Sequence, residues 1–155
     1  MDRILLSRPV LKDASTRWRR KGKSIVFTNG VFDVLHRGHI DLFEKARSYG
    51  DILVVGLNSD ASTRRLKGPS RPINRQADRI RVLSALRTVD HICVFSEDTP
   101  LKLILTLRPH VLVKGSEYPV SGIVGAPEVR SWGGAVKRFK MRPGYSSTDI
   151  IRRLK

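Results

Sequence analysis

Short apolar runs rich in β-branched residues alternate along this chain with segments whose apolar residues recur at helical spacing, a pattern that predicts a parallel sheet with crossover helices. Residues 24–28 form the first predicted strand and 52–57 the second. Each is nearly all apolar, as strands covered on both faces are. Residues 91–95 and 111–113 follow, and 135–139 make a less strongly patterned fifth. Between them, Leu42, Phe43, Ala46 and Tyr49 lead to Gly50, a helix stop, and Ile80, Leu83 and Leu86 mark another helix. Leu101, Ile104 and Leu105 mark a further helix, for which Asp98-Thr99-Pro100 has the cap-then-proline order of a start. An α/β fold with about five parallel strands is expected.

The 155 residues suit one domain. Residues 1–23 are expected to be an N-terminal extension ending in a basic helix, with the domain proper over 24–155. Hydrophobic residues make up 40% and charged residues 28%, which excludes a disordered chain. A lone cysteine, Cys93, forms neither an internal disulfide nor a multi-cysteine metal site. The start of the chain has too short an apolar core for a signal peptide, and no stretch has the length of a membrane span. A cytoplasmic location without membrane attachment is expected. Lys and Arg outnumber Asp and Glu by 30 to 14, leaving a formal charge of +16 that implies anionic partners. The cations are scattered, and no nucleic-acid-binding signature accompanies them, so a solvated basic surface is expected rather than a nucleic-acid groove.

Chemistry concentrates where the first strand ends, over Thr28-Asn29-Gly30-Val31-Phe32-Asp33-Val34-Leu35-His36-Arg37-Gly38-His39. In open α/β sheets ligands bind beyond the carboxyl ends of strands, where a following helix presents free N–H groups to phosphates. His36 and His39, three apart, face the same way on a first helical turn. Gly38 between them lets a triphosphate approach the backbone. Two imidazoles there can donate hydrogen bonds to phosphate oxygens, and protonated ones would neutralise charge on a departing pyrophosphate. Near the C-terminus, Ser146-Ser147-Thr148-Asp149 before Ile150-Ile151 has the form of a capping box and predicts a last helix. Lys114 and Gly115 end the fourth strand at the ligand edge, whereas His91 and His110 sit at strand starts and are read as structural.

The stretch from Thr28 to His39 resembles the H-x-G-H signature of the nucleotidyltransferase superfamily. Within it, 54–62, 65–69, 71–74, 97–101, Lys114-Gly115-Ser116-Glu117-Tyr118 and Gly144-Tyr145-Ser146-Ser147-Thr148 are similar to the adenylyltransferase domain that activates heptose 1-phosphate. That resemblance implies a Rossmann-like doubly wound sheet. It also implies AMP transfer from ATP to a sugar 1-phosphate by direct attack on the α-phosphorus, with pyrophosphate released. Mg2+ would be held mainly by the nucleotide phosphates. His36 and His39 would stabilise the transition state, and Thr28, Asn29, Gly30, Phe32 and Gly38 would form the nucleotide's phosphate side. Lys114, Gly115, Tyr145, Ser146, Ser147 and Thr148 would complete the nucleotide site. Asp33 would orient a histidine, cap the helix or assist the metal, and the sequence does not choose among these. Relatives that transfer cytidylyl groups carry arginine three residues before the glycine of the last motif, where this chain has Met141, with Arg142 one place later.

The long stretch 59–75, with Gly68, Pro69 and Pro72, is predicted to be a loop acting as a lid. Lys67 and Arg71 within it, and Arg79 opening the next helix, would clamp the acceptor phosphate; Lys67 and Arg79 are placed there by the resemblance as catalytic groups. Glu117 would accept hydrogen bonds from sugar hydroxyls. Partners would be small molecules, a nucleoside triphosphate and a phosphorylated sugar; the resemblance admits a homodimer. Two other enzyme readings remain, cytidylyl transfer to glycerol 3-phosphate and FMN adenylylation. A further reading, a non-catalytic nucleotide- or nucleic-acid-binding module, is opposed by the intact His36, His39, Ser147 and Thr148.

Overall fold

A computed structural model describes residues 4–154; of the expected extension 1–23 and domain 24–155, residues 1–3 and 155 lie outside the described residues. Five strands, β1 (Ile25–Gly30), β2 (Ile52–Asn58), β3 (His91–Phe95), β4 (Val111–Gly115) and β5 (Ala135–Phe139), form one sheet in the order β3-β2-β1-β4-β5. All pairings are parallel. The α/β Rossmann-like architecture is as expected. Predicted strands start and end within two residues of those observed, because an apolar β-branched run buried on both faces has few alternatives.

Alternate side chains of β1 fix two cores. Ile25 and Phe27 point to one, with Leu11 of helix α1 (Arg8–Arg20), Leu103, Ile104 and Leu107 of α5 (Leu101–Leu107), and Val129 of α6 (Ala126–Ser131). Val26 points to the other, with Leu42, Phe43 and Ala46 of α2 (Arg37–Arg47) and Leu83 of α4 (Gln76–Ser84). Helix α1 is amphipathic and buries Leu11 and Ala14, so its basic residues occupy the remaining face. The segment before it bridges Leu5 to Ile92 and covers the outer margin of β3. At the opposite margin, β5 is an outermost strand whose Lys137 and Arg138 are exposed.

Two local expectations are corrected. The predicted lid loop 59–75 contains a helix, α3 (Asp60–Lys67). Ser59 caps it by accepting the Ser62 N–H, Asp60 lies in its first turn, and Arg64, Arg65 and Lys67 lie in its last, each favoured by the helix dipole. The loop proper is residues 68–75. At α5, Pro100 rather than Asp98 takes the N-cap position, and the Asp98 carboxylate pairs with Arg65 at 2.8 Å.

The loops at the carboxyl ends of the strands are tied by Arg79, which is 2% exposed. Its guanidinium donates to the carbonyls of Val31 (2.7 Å), Asn58 (2.8 Å) and Asn74 (3.1 Å) and to Asp60 Oδ1 (2.8 Å). Removing a buried charge that satisfies three carbonyls leaves each without a partner. Arg79→Met should therefore lower unfolding free energy by about 3–5 kcal/mol, read by urea denaturation. A variant as stable as the parent would show that these bonds do not organise the edge.

Candidate active site

The strand order reverses between β1 and β4, the point where open α/β sheets hold ligands. A cleft of about 920 Å3 opens there, lined by Thr28–Gly30 of β1 and by Lys114 and Gly115 of β4. His36 is the N-cap of α2 and His39 lies in its first turn, where its N–H donates to the His36 carbonyl at 2.9 Å. The two imidazoles stack with centroids 3.8 Å apart and planes inclined by 25°. Phe32, whose φ of 46° is left-handed, meets His39 edge-on at 5.3 Å. Both rings line the cleft, and each Nδ1 is buried without a hydrogen-bond partner. A Cβ on Gly38 would lie 3.0 Å from the His36 ring and from Met141 Cε, so glycine is what permits this packing.

Burial, reinforced by the neighbouring His36 charge, pushes His39 down to about 4, and burial lowers His36 as well. In the free protein His39 is therefore neutral at pH 7. The expected protonated imidazole requires an anion beside it, since an opposite charge raises the pKa. Thr28 Oγ1, also buried and unpartnered, adds an unused hydroxyl at the same strand end.

Cations form the facing wall. Lys114 Nζ donates to the Asn29 carbonyl (3.2 Å) and Oδ1 (3.3 Å), and lies 5.5 Å from the Tyr118 ring centroid. Burial drives it down to about 8; the Glu117 carboxylate opposes that shift and the Lys67 charge adds to it. Lys67 and Arg71 line the cleft from α3 and the loop after it. Glu117 folds back over Gly115, where a Cβ would collide with its carboxylate.

Asp33 is resolved by its surroundings. Its enclosed carboxylate accepts from Arg71 Nε, Ile73 N and Asn74 N, each at 2.7 Å. It thus anchors the 71–74 segment while lining the cleft. Arg79, expected at the acceptor phosphate, is buried and bound to backbone carbonyls and Asp60, and is not among the residues lining the cleft. An arginine that opens a helix looks the same in sequence whether it faces solvent or a loop carbonyl.

The last motif forms as predicted. Ser146 caps α7 (Ser147–Arg153), donating to Asp149 Oδ2 at 2.7 Å and accepting the Asp149 N–H. Ser147 donates to the Val34 carbonyl at 2.8 Å, tying α7 to the histidine turn. Both hydroxyl protons are thereby engaged, and Thr148 carries the hydroxyl left open to the cleft beside Tyr145. Arg142, unassigned by sequence, lines the cleft and pairs with Asp41 at 3.0 Å. His110 accepts the Ile25 N–H and His91 stacks on Trp18, both at the far edge of the sheet.

Sequence reasoning missed an apolar rim. Leu66 (50% exposed), Tyr118 (45%) and Val124 (39%) all line the cleft and offer faces to a flat ring. Tyr118 alone was signalled, by its place in Lys114-Gly115-x-x-Tyr118. The arrangement as a whole suits a polyanion with a planar end: unpartnered polar atoms and cations near the strand ends, apolar surface outside them.

Known proteins share this plan. The bifunctional protein HldE of Koribacter versatilis (strain Ellin345) is 54% identical over 147 residues, 95% of this chain and 30% of that protein. The protein of the same name from Acidiphilium cryptum (strain JF-5) is 50% identical over 99% of this chain and 32% of its own length. The chain thus spans about a third of these curated relatives. A crystal structure of the lipopolysaccharide core biosynthesis protein from Thermoplasma volcanium GSS1 superposes with a TM-score of 0.64 at 28% identity, covering 78% of this chain and 98% of that one. Pantoate-beta-alanine ligase from Francisella tularensis shares the fold with a TM-score of 0.64 at 19% identity, over 96% of this chain and 75% of its own. The model of the cytidylyltransferase-like family matches residues 27–153, most of the chain, and the chain belongs to the cytidylyltransferase-like family.

Proposed function

We propose that this chain is an adenylyltransferase that moves AMP from ATP to a sugar 1-phosphate, heptose 1-phosphate being the favoured acceptor, and releases pyrophosphate. The observation that carries this reading is the stacked His36–His39 pair, each ring with a buried unpartnered Nδ1, lining a cleft that also carries Lys67, Arg71 and Lys114 at the strand ends. The acceptor rests on the Lys114-to-Tyr118 and Gly144-to-Thr148 motifs, and likeness to a lipopolysaccharide core biosynthesis protein supports it. Small-molecule substrates fit a cleft of this size; no helix among the described residues is long and apolar enough to cross a membrane.

The acceptor phosphate is already ionised, so its oxygen attacks the α-phosphorus without a general base. The new P–O bond forms as the α–β bridging bond breaks, and the electron pair leaves with pyrophosphate. Neutral imidazoles of His36 and His39 donate N–H groups to non-bridging oxygens, and the phosphates in turn raise their proton affinity. Lys67, Arg71 and Lys114 offset repulsion between two anionic reactants and hold them in line. The carboxylates near the histidines serve the protein: Asp33 holds its loop and Asp149 its helix cap. A donor set so rich in cations fits Mg2+ brought in on the phosphate oxygens of ATP rather than held by side chains. When bound, Mg2+ supplies charge neutralisation at those phosphates.

Three outcomes are expected. In a panel scored by pyrophosphate release, ATP with heptose 1-phosphate reacts, while CTP with glycerol 3-phosphate gives little; a clear preference for the CTP pair would overturn the substrate reading. His39→Ala lowers kcat by on the order of 10²–10³ with an unchanged melting temperature, and a folded variant at full kcat would refute the histidine's role. The depressed His39 pKa also links to stability. An unfolded histidine takes up a proton near pH 6.5 and the folded one only near 4, so stability is lost as pH falls through that window. His39→Gln should flatten this acid-side loss in urea denaturation series, and an unaltered slope would count against a buried neutral ring.

A further inference from the structure

Strand order divides the cleft in two. The residues read as the nucleotide site, Lys114 and Gly115 at the end of β4 and the 144–148 turn beyond β5, lie to one side of the histidine turn. The other side is built over β2 and β3, where Lys67 of α3 and Asp98, Thr99 and Pro100 of the loop after β3 line the same space. One face of α3 holds that loop. Ser59 N donates to the Phe95 carbonyl (2.9 Å), Arg65 to the Ser96 carbonyl, and Ser62 Oγ to the Glu97 carbonyl (3.3 Å). These donors are spaced three residues apart, so a single helical stripe meets three successive carbonyls. The Glu97 carboxylate is taken by Arg8, which donates to both oxygens at 2.7 and 2.9 Å. Arg65 Nε takes Oδ1 of Asp98 at 2.8 Å, and Oδ2 makes no hydrogen bond among the described residues. An exposed carboxylate is thus fixed at the cleft wall, with the exposed Thr99 next to it.

We infer that Asp98 selects a polyhydroxylated acceptor, its carboxylate accepting hydrogen bonds from sugar hydroxyls with the Thr99 hydroxyl assisting. The inference rests on the adenylyl-transfer reading and names the groups that read the sugar of a sugar 1-phosphate. The Lys67 charge is felt at Lys114, so a phosphate held between the two ammonium groups sits beside the strand ends. The sugar of such an acceptor extends along the last turn of α3, the turn from which Arg65 holds Asp98. A carboxylate placed there repels phosphates and does nothing to hold them. It suits neutral hydroxyls, which donate to it, and its oxygens offer several lone pairs for them. Glu117, the sugar contact implied by the resemblance, is folded over Gly115 at the end of β4, on the nucleotide's side. Because α3 fixes the loop before any acceptor arrives, binding spends little on ordering this wall.

The test is calorimetric titration of the full chain with heptose 1-phosphate and, separately, with α,β-methylene ATP, whose α–β bridge does not break. Asp98→Asn keeps the size of the side chain and removes its charge. Charge removal alone would tighten both anions in a cationic cleft, so a weakening of one is an effect that simple electrostatics cannot imitate. In D98N the heptose 1-phosphate Kd should rise by about tenfold, while the Kd of the ATP analogue stays parental or falls. An unaltered or lower heptose 1-phosphate Kd overturns the assignment, and so does an equal weakening of both ligands. Should D98N fail to fold, Thr99→Val carries the test: a heptose 1-phosphate Kd raised by several-fold, with the analogue unaffected, supports the assignment and a parental value overturns it. A parent chain that binds the ATP analogue but no heptose 1-phosphate would sink the acceptor reading and this assignment together. A parent that binds both, with D98N at the parental Kd, would sink the assignment alone.

Discussion

Two buried charges of opposite sign hold the working edge of this protein together. Arg79 gathers carbonyls from the β1–α2 turn, the end of β2 and the 68–75 loop, and Asp33 gathers N–H groups from the same loop. One supplies donors to oxygens that would otherwise lose water without replacement, and the other supplies acceptors to amides in the same position. The segment from Arg71 to Asn74 is therefore clasped from both sides. Arg71 lines the cleft with its Nε held by Asp33. The placement of a cleft cation thus depends on the Asp33 carboxylate.

The same logic explains why the histidines rest uncharged. Phe32 and the helix turn shield them from water, and the His36 charge adds to burial in discouraging a proton on His39. The imidazole pair thus adds no charge of its own to the cations of the facing wall in the absence of substrate. Its affinity for protons appears when phosphate arrives, so charge develops with the ligand and not before it. Lys114 is shifted in the same direction by burial and by Lys67, yet at about 8 it keeps its proton at neutral pH.

Much of this was legible in the order of residues. Strands such as 52–57 and 91–95 announce themselves because solvent-free β-branched runs fit little else, and His36-x-Gly38-His39 after a strand places two rings on one turn. The Ser146–Asp149 cap was equally plain, since its chemistry is local. Helix α3 was hidden by its composition: Ser62, Thr63 and two arginines carry no apolar stripe, and the Gly68 and Pro69 that follow read as loop. Its Ser59 cap was the available signal. The destinations of Asp33 and Arg79 were not legible, because each bonds to backbone atoms some 40 residues away in sequence, as the Asp33–Asn74 and Arg79–Val31 pairs do. Side-chain identity reveals that a charge is present; only tertiary contact reveals what it satisfies.

The bare margin of β5 bears on how such molecules behave when crowded. An outermost strand offers unpaired backbone groups that a second copy could extend into a larger sheet. Here the margin carries exposed Lys137 and Arg138, followed by exposed Lys140, on a chain already at +16. Like charges brought into register along that border repel, so the cationic excess doubles as colloidal protection. Polyanions that mask these side chains would unmask a sticky flank, and clouding of concentrated solutions on titration with such polymers is the physical cost of that arrangement.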